Sequence, residues 1–161
     1  MTYGQPPFPG QPDPGGYGMY PNAGAQDPRD LTLPLYGATF GQAVSRFFRN
    51  YVNFSGRASQ SEYWWAILMT FFIELAALMV AGVIAVVVGG DEAAGVIGLF
   101  IILVLLAIML PTISVSVRRL HDANMSGWLY LLNLIPLVNY VVWIVIGVVS
   151  TNPAGARYDR R

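Results

Sequence analysis

Two short polar stretches hold most of the side chains with which this sequence could do chemistry. They contribute Arg57 and Glu62 from the first, and Arg118, Arg119, His121 and Asp122 from the second. His121 and Asp122 could act as an acid–base pair, but the protein has a single histidine and no cysteine, which excludes His-rich and Cys-based metal sites. Neither a nucleotide-binding glycine loop nor a Ser-His-Asp set is present. We therefore predict no catalytic residue, no bound metal and no cofactor, and expect His121 to pair with a carboxylate or a carbonyl.

One carboxylate, Glu74, and one amide, Asn139, lie inside long apolar runs. Glu74 is about 11 residues, or ~16 Å, into its run at the helical rise, and Asn139 reaches a similar depth if its run enters from the same side. An ionisable group at that depth faces protein or water rather than lipid. Small and polar residues lie on the same helical face as Glu74, namely Ala66, Thr70, Ala77 and Ala81. This stripe favours a helix-packing face on which Glu74 has a structural role. The alternative is that Glu74 couples the protein to the movement of protons or ions.

The apolar runs that contain these residues are long enough to cross a bilayer. They cover 63–88, 93–117 and 128–149, each close to or above the ~20 residues that a membrane-spanning helix needs. The chain is 55% hydrophobic and 11% charged, with a mean hydropathy of +0.50, outside the usual balance of soluble domains. We predict an all-α, polytopic membrane protein with a transmembrane domain over 59–150, and helices near 62–89, 93–117 and 128–149. The formal net charge of zero argues against a nucleic-acid partner.

The third run allows two arrangements. At its centre Pro136 stands between Asn133 and Asn139, and a re-entrant hairpin needs polar residues of this kind at its tip. Two arms of about ten residues each would be short, so length favours a single, kinked crossing. That crossing would place the short basic tail, 151–161, outside the cell, against the tendency of arginines to remain in the cytoplasm.

Two segments precede the transmembrane domain. Residues 1–35 are rich in Pro, Gly and Tyr and poor in aliphatic residues, so we predict a disordered cytoplasmic tail. Residues 36–58 form a lead-in, in which apolar residues recur with the helical i, i+3, i+4, i+7 spacing between 40 and 52. With Arg46 and Arg49 on the opposite face, the lead-in predicts an amphipathic helix that lies in the membrane interface or packs on the ends of the spans.

The spans carry recognisable local signals. Ser59 and Glu62 form a capping box at the start of the first span. Pro111 should kink the second span, with the freed carbonyl satisfied by a nearby hydroxyl or a neighbouring helix. Aromatic interface anchors are predicted at Tyr63, Trp64, Trp65 and Trp128.

The placement of arginines predicts the orientation in the membrane. They flank the start of the first span and the end of the second, at Arg46, Arg49, Arg57, Arg118 and Arg119. The turn between these spans contains Asp91 and Glu92 and no arginine. Since arginines favour the cytoplasmic side, we expect a multi-pass protein whose N-terminus and 118–127 loop are cytoplasmic.

Two longer motifs contain the polar residues described above. The stretches FSGRASQSEYWW at 54–65 and RRLHDANMSGW at 118–128 resemble the two signatures of the bacterial domain-of-unknown-function 805 family, in the family's order. A third family element, which ends Asn-Arg-Tyr/Phe-Gly, is partly present at 153–158, with Ala156 in place of Asn and Asp159 in place of Gly. The resemblance covers about 44–158 and implies a small helical protein of the bacterial inner membrane, without an assigned activity.

The polar stretches suggest two roles at the cytoplasmic face. The residues Arg57, Glu62, Arg118, Arg119 and Asp122 are expected to form one charged cluster that fixes the spans to one another. Alternatively, Arg57, Arg118 and Arg119 bind anionic lipid headgroups. We predict a non-enzymatic membrane scaffold or partner-binding component, whose partners are the lipid bilayer and a second copy or another membrane protein. The alternative is a subunit of an oligomeric small transporter or channel that uses Glu74.

Overall fold

The computed structural model describes residues 24–159, and every regular element among them is helical. Its α-helices are α1 (Phe40–Arg49), α2 (Gln60–Val88), α3 (Gly90–Asp122) and α4 (Val138–Val148), and 3₁₀ helices cover Gly127–Leu134 and Pro153–Tyr158. Helices α2 and α3 run antiparallel, because Gly89 alone joins them at one end and Ala58 N donates to Arg118 O, at 3.0 Å, at the other. The predicted all-α class is confirmed for the described residues.

Helices α2 and α3 suit a lipid environment. They contain 29 and 33 residues, or about 43 and 50 Å at 1.5 Å per residue, more than the ~30 Å hydrocarbon core. In the most apolar stretch of 18 residues in each helix, only 11% of the stretch is buried. A core helix of a soluble protein buries its apolar face, whereas these two expose rows of Leu, Val and Phe side chains. Length, composition and exposure are all consistent with membrane spans.

The start and end of α2 follow from local sequence. Ser59 Oγ accepts from Glu62 N at 3.2 Å and Glu62 Oε2 accepts from Ser59 N at 2.9 Å, so the predicted capping box is confirmed. The helix ends at Gly89, whose φ of +67° favours glycine. The turn is shorter than predicted, since Asp91 and Glu92 already belong to the first turn of α3. Carboxylates there interact favourably with the helix dipole.

Helix α3 continues through a buried proline, Pro111. A proline inside a helix leaves the carbonyl four residues earlier without its usual donor, here that of Ala107. The Tyr51 hydroxyl donates a hydrogen bond to this carbonyl. The freed carbonyl is therefore satisfied by the hydroxyl of a residue in the turn after α1, rather than by a hydroxyl of α3 or a neighbouring helix. The helix also runs five residues beyond the predicted end of the second span, to Asp122.

The third apolar run folds back on itself. Its two arms, Gly127–Leu134 and α4, are each about 16 Å long and meet at a break where Leu137 has a φ of +69°. The first arm begins beside Val117 and His121, where a Cβ on Gly127 would lie 2.7 Å from Val117 Cγ1. The predicted single crossing is therefore wrong for this structure, which has the hairpin alternative instead.

The second arm of this hairpin returns to the end where α2 begins. Gln60 Nε2 donates to Val148 O at 3.2 Å and to Val149 O at 3.1 Å. Trp64 Nε1 donates to Gly147 O at 3.1 Å. These contacts outweigh the length preference because hydrogen bonds and close glycine packing fix both ends of the run.

Helix α1 covers the arginine-rich end of the bundle. A capping box between Thr39 and Gln42 starts it, and Ala43 and Phe47 are buried as the apolar spacing predicted. The prediction was wrong for Arg46, which is buried rather than on the polar face. Residues 24–35 also differ from the predicted disordered tail, since Ala25 N donates to Pro34 O at 2.8 Å. The remainder of that tail, 1–23, and the last two residues lie outside the described residues.

Candidate functional site: a buried polar cluster at one end of the bundle

Glu62 and Arg46 form a buried ion pair where α1 crosses α2. Arg46 Nε lies 2.5 Å from Glu62 Oε1, and the two side chains are 1% and 2% exposed. Glu62 Oε2 accepts from Ser59 N at 2.9 Å and from Leu35 N at 3.0 Å. One carboxylate thus caps α2, binds α1 and fixes the segment before α1. Its neutralisation by an arginine is what makes such deep burial tolerable.

The rest of the Arg46 guanidinium binds the backbone of residues 24–35. Its two terminal nitrogens donate to the carbonyls of Pro28 at 3.2 Å, Asp30 at 2.5 Å and Leu33 at 2.5 Å. The fork of guanidinium donors can bind several carbonyls at once. This is the physical reason that the segment is ordered despite its composition.

Asp122, at the end of α3, is the centre of a second buried network. Its Oδ2 accepts from Arg119 Nη1 at 2.6 Å and from the Thr151 hydroxyl at 2.6 Å. Its Oδ1 accepts from the Tyr36 hydroxyl at 2.9 Å and lies 3.6 Å from Arg57 Nη1. We call Asp122 with these four residues and Asp159 the Asp122 network. It joins the segment before α1, the loop before α2, the end of α3 and the C-terminal stretch, which we define as residues 151–159.

Arg57 connects this network to the C-terminal stretch. Its Nε and Nη2 donate to the two oxygens of Asp159 at 2.6 and 2.7 Å, a bidentate pair. Burial lowers the pKa of Arg57, but the bonds to Asp159 and nearby negative charge outweigh it and raise that pKa overall. Burial and the adjacent Asp122 also raise the pKa of Tyr36. Tyr36 therefore remains a neutral hydrogen-bond donor to Asp122.

The C-terminal stretch lies directly against the end of α3. Asn152 N donates to Asp122 O at 2.9 Å. A Cβ on Gly155 would lie 2.5 Å from His121 O, so only glycine permits this approach. Arg119 Nη2 also donates to Val149 O, which ties the returning arm of the hairpin to the same site.

The predicted charged cluster is therefore divided between two networks. Glu62 pairs with Arg46, whereas Arg57 and Arg119 pair with Asp122. Arg118 is buried beside them, and its carbonyl accepts from Ala58 N. Sequence reasoning missed Arg46, Tyr36 and Asp159 as members. Arg46 is adjacent to the apolar Phe47 in the lead-in, which was a usable signal, whereas Tyr36 and Asp159 had none.

The lipid-headgroup alternative does not fit these residues. Arg57 and Arg118 are each 1% exposed, and Arg119 is fully buried. Buried guanidinium groups cannot contact a headgroup phosphate at the membrane surface. Among the described residues, the exposed arginines at this end of the bundle are Arg29, Arg49 and Arg157.

His121 has a structural environment. Its Nδ1 lies 3.1 Å from the carbonyl of Gly56, and its ring stacks on Tyr158 with centroids 4.0 Å apart and planes 4° apart. The carbonyl partner that the sequence analysis expected is thus present. Within residues 24–159, no group of three or more potential metal-binding side chains is found.

Glu74 departs from the packing role predicted for it. Ala66, Thr70, Ala77 and Ala81 of its stripe are buried as expected, but Glu74 itself is exposed on the side of α2. It lines a cleft of about 290 Å³ toward α3, with Thr70, Met109 and Tyr130, and a second of about 200 Å³. Over the described part of the chain, its carboxylate has no hydrogen-bond or ion-pair partner.

Asn139 lies at the hairpin tip, in the first turn of α4. Its Oδ1 is buried and lacks a hydrogen-bond partner among residues 24–159. It lines a cavity of about 440 Å³ with Tyr130 and Asn133. Tyr130 also lines the Glu74 cleft, so the two cavities share one residue.

The aromatic residues separate into anchors and core. Trp64 and Trp65 are partly exposed and Trp128 is 79% exposed, as suits interface anchors. Tyr63, also predicted as an anchor, is fully buried instead. Its hydroxyl donates to Trp143 O at 2.9 Å, because the returning arm of the hairpin covers that face of α2.

The structure has two long helices that suit a lipid environment. Buried ion pairs and a short apolar hairpin hold them together at one end, and this arrangement defines a small α-helical membrane protein. A family model described as protein of unknown function (DUF805) matches residues 51–160. The chain belongs to the DUF805 family.

Two curated relatives support this membership. Inner membrane protein YhaH of Escherichia coli K12 is 33% identical over 113 residues, which cover 70% of this chain and 89% of the relative. Inner membrane protein YhaI of the same strain is 32% identical over 110 residues, which cover 68% of this chain and 86% of the relative. No solved structure matches. The similarity supports a location in the bacterial inner membrane.

Proposed function

We propose that this protein is a non-enzymatic, multi-pass component of the inner membrane that recognises another transmembrane helix through Glu74. The observation that carries the proposal is the lateral exposure of this carboxylate in the cleft between α2 and α3. Glu74 lies 14 positions after the first residue of α2, about 21 Å along the helix. An intramembrane carboxylate without a partner is costly in lipid. A neighbouring helix with a hydrogen-bond donor would remove that cost.

We further propose that the arginine-rich end faces the cytoplasm. With the third apolar run as a re-entrant hairpin, the C-terminal stretch lies beside Arg57 and Arg119 rather than across the membrane. Arg157 of that stretch then obeys the positive-inside tendency. Helix α1 lies in the interface in this arrangement, with the exposed Phe40 and Phe48 next to Arg49.

The orientation can be tested by single cysteines, since the chain has none of its own. Cysteines at the exposed positions 91, 126 and 154 are treated with a membrane-impermeant thiol reagent in intact cells and after permeabilisation. We expect position 91 to react in intact cells and positions 126 and 154 only after permeabilisation. Reaction at position 126 but not at position 91 in intact cells would show that the orientation is the opposite of the one proposed. Reaction at both positions 91 and 154 in intact cells would indicate that the third apolar run crosses the membrane once.

The role of Glu74 can be tested by association in membranes. Glu74→Leu should abolish co-purification of the bound membrane protein in mild detergent, while Glu74→Gln should retain it because the amide still forms hydrogen bonds. Leu75→Ala, an exposed neighbour outside the cleft, is the matched control. Disulfide crosslinking of a Leu78→Cys variant decides whether the partner is a second copy. Unchanged association in Glu74→Leu would refute the proposal.

A second candidate is an oligomeric transport subunit, favoured by one specific observation. The Glu74 cleft and the Asn139 cavity share Tyr130, so polar groups follow one another along the bundle. In this candidate, purified protein in liposomes conducts protons or cations, and Glu74→Gln abolishes the flux because the carboxylate must titrate. Flux lost in Glu74→Gln with association retained would favour transport over partner recognition.

A further inference from the structure

An apolar cavity of about 490 Å³ opens at the arginine-rich end, outside the two polar networks. It lies between the C-terminal half of α3, the first arm of the hairpin and the C-terminal stretch. We call it the interfacial groove. Its apolar walls are formed by Phe54, Ile113, Val117, Trp128 and Leu131. Its size is typical of small-ligand sites.

The interfacial groove also has a polar side. His121, Ser126 and Tyr158 line it. The His121 Nδ1–H donates to the Gly56 carbonyl, which leaves Nε2 of the neutral ring as a hydrogen-bond acceptor. The Tyr158 ring lies between His121 and the guanidinium of Arg157, which is 4.7 Å from its centroid. A hydrogen-bond acceptor and hydroxyl groups thus line the interfacial groove, and the Arg157 cation lies across the Tyr158 ring from His121.

Charge at this site favours an anionic ligand. Arg157 is exposed and donates to Tyr158 Oη at 2.9 Å and to Asn124 O at 3.5 Å, without an acidic partner among the described residues. No acidic side chain lines the interfacial groove in the described residues. The nearest carboxylate along the chain, Asp159, is engaged in its bidentate pair with Arg57. Arg157 is therefore available to an external phosphate, which guanidinium groups bind well.

We propose that the interfacial groove binds one anionic phospholipid of the cytoplasmic leaflet, with an acyl chain against the apolar walls and the phosphate at Arg157. A headgroup hydroxyl, as in phosphatidylglycerol, donates to His121 Nε2. The proposal rests on the orientation argued above, which brings the interfacial groove to the depth where acyl chains meet headgroups. Its ligand differs from that of Glu74, which is a helix in the membrane interior.

Native mass spectrometry of the full-length protein in mild detergent tests this site. We expect one retained phosphatidylglycerol and at least a tenfold preference over phosphatidylcholine in titrations. Arg157→Gln should remove the preference, and Leu131→Trp should weaken binding of both lipids by filling the interfacial groove. Arg49→Gln is the matched control, because Arg49 is equally exposed at the same end but lies on α1. Unchanged unfolding midpoints would show that the variants fold.

Several results would overturn the proposal. Equal retention of the two lipids by the wild type, or an unchanged preference in Arg157→Gln, would exclude the site. Displacement of the lipid by inorganic phosphate at millimolar concentration would identify a free-phosphate site instead. The cysteine scan tests the orientation independently of lipid binding. If lipid binding is not observed but positions 126 and 154 are cytoplasmic, the lipid proposal is refuted and the proposed orientation is not.

Discussion

The two ends of the α2–α3 hairpin are held together in different ways. At the arginine-rich end, Glu62 and Asp122 each bind several segments through buried hydrogen bonds. Between residues 71 and 106, by contrast, no side chain in the described structure forms a hydrogen bond or an ion pair. The buried residues there are small, at Ala77, Ala81 and Ala93. At the arginine-rich end, polar contacts therefore hold the helices together, whereas between residues 71 and 106 close packing of small residues suffices.

The largest effect should follow from removal of the Asp122 carboxylate. Asp122→Ala leaves Arg57 and Arg119 buried with their shared partner lost, and breaking a buried ion pair typically costs about 3–5 kcal/mol. We expect the free energy of unfolding in detergent to fall by that amount. Asp91→Ala, at the opposite end and exposed, should change it by less than about 0.5 kcal/mol. Similar losses for both variants would show that the two ends do not differ as described.

A medium effect should appear in two double-mutant cycles that share Glu62. The Glu62–Arg46 cycle should give a coupling energy of about 1–3 kcal/mol, because these side chains are in contact. The Glu62–Arg57 cycle should be additive within about 0.5 kcal/mol, because Arg57 pairs with Asp159 and Asp122 instead. Both are measured by unfolding in detergent with conservative variants such as Glu62→Gln and Arg46→Met. Strong coupling between Glu62 and Arg57 would show that the charged residues form the single cluster predicted from the sequence.

The ion pair between Arg46 and Glu62 should also control the segment before α1. Arg46→Met removes the donors that bind the carbonyls of Pro28, Asp30 and Leu33. We expect limited proteolysis to cut within 24–35 several-fold faster than in the wild type, while cleavage elsewhere is unchanged. Arg49→Met, three residues later and exposed, serves as the control. Equal protection in both variants would assign the order of this segment to another cause.

The smallest effect should come from Asp159→Gly, which introduces the residue of the family pattern at this position. Arg57 keeps Asp122 and Tyr36 nearby, and the Asp159 side chain is 18% exposed. Since partly exposed pairs contribute little, we expect a loss of about 1 kcal/mol. Hydrogen exchange should show faster opening of the C-terminal stretch with α2 and α3 unaffected. A loss as large as that of Asp122→Ala would mean that Asp159, rather than Asp122, is central.

Short-range features of the sequence predicted much of the fold correctly. The apolar runs predicted three spans, and two of them are long helices in the structure. The Ser59–Glu62 capping box and Gly89 predicted where α2 begins and ends. The spacing in the lead-in predicted that Ala43 and Phe47 are buried. These features depend on residues within a few positions of one another. Local hydrogen bonding and periodicity therefore suffice to predict them.

The candidate site was predicted only in part, because its partners are distant in the chain. Glu62 was placed with Arg118, but contacts Arg46. Arg57 was expected to belong to the cluster, whereas its bidentate partner, Asp159, is 102 residues away. Charge patterns show that ion pairs will form at one end of the bundle. They do not show which pairs, since geometry decides that.

By itself, the sequence determined that this is a helical membrane protein with arginines at one end, because apolar length and charge position are read directly from residue order. Only the tertiary structure decided that the third run turns back, that Arg46 orders the segment before α1, and that Glu74 lies exposed in a cleft. Each of these depends on contacts between distant segments. Helix length and composition are the same in both arrangements of the third run, and only the bonds of Gln60, Trp64 and Arg119 to its last residues select the hairpin.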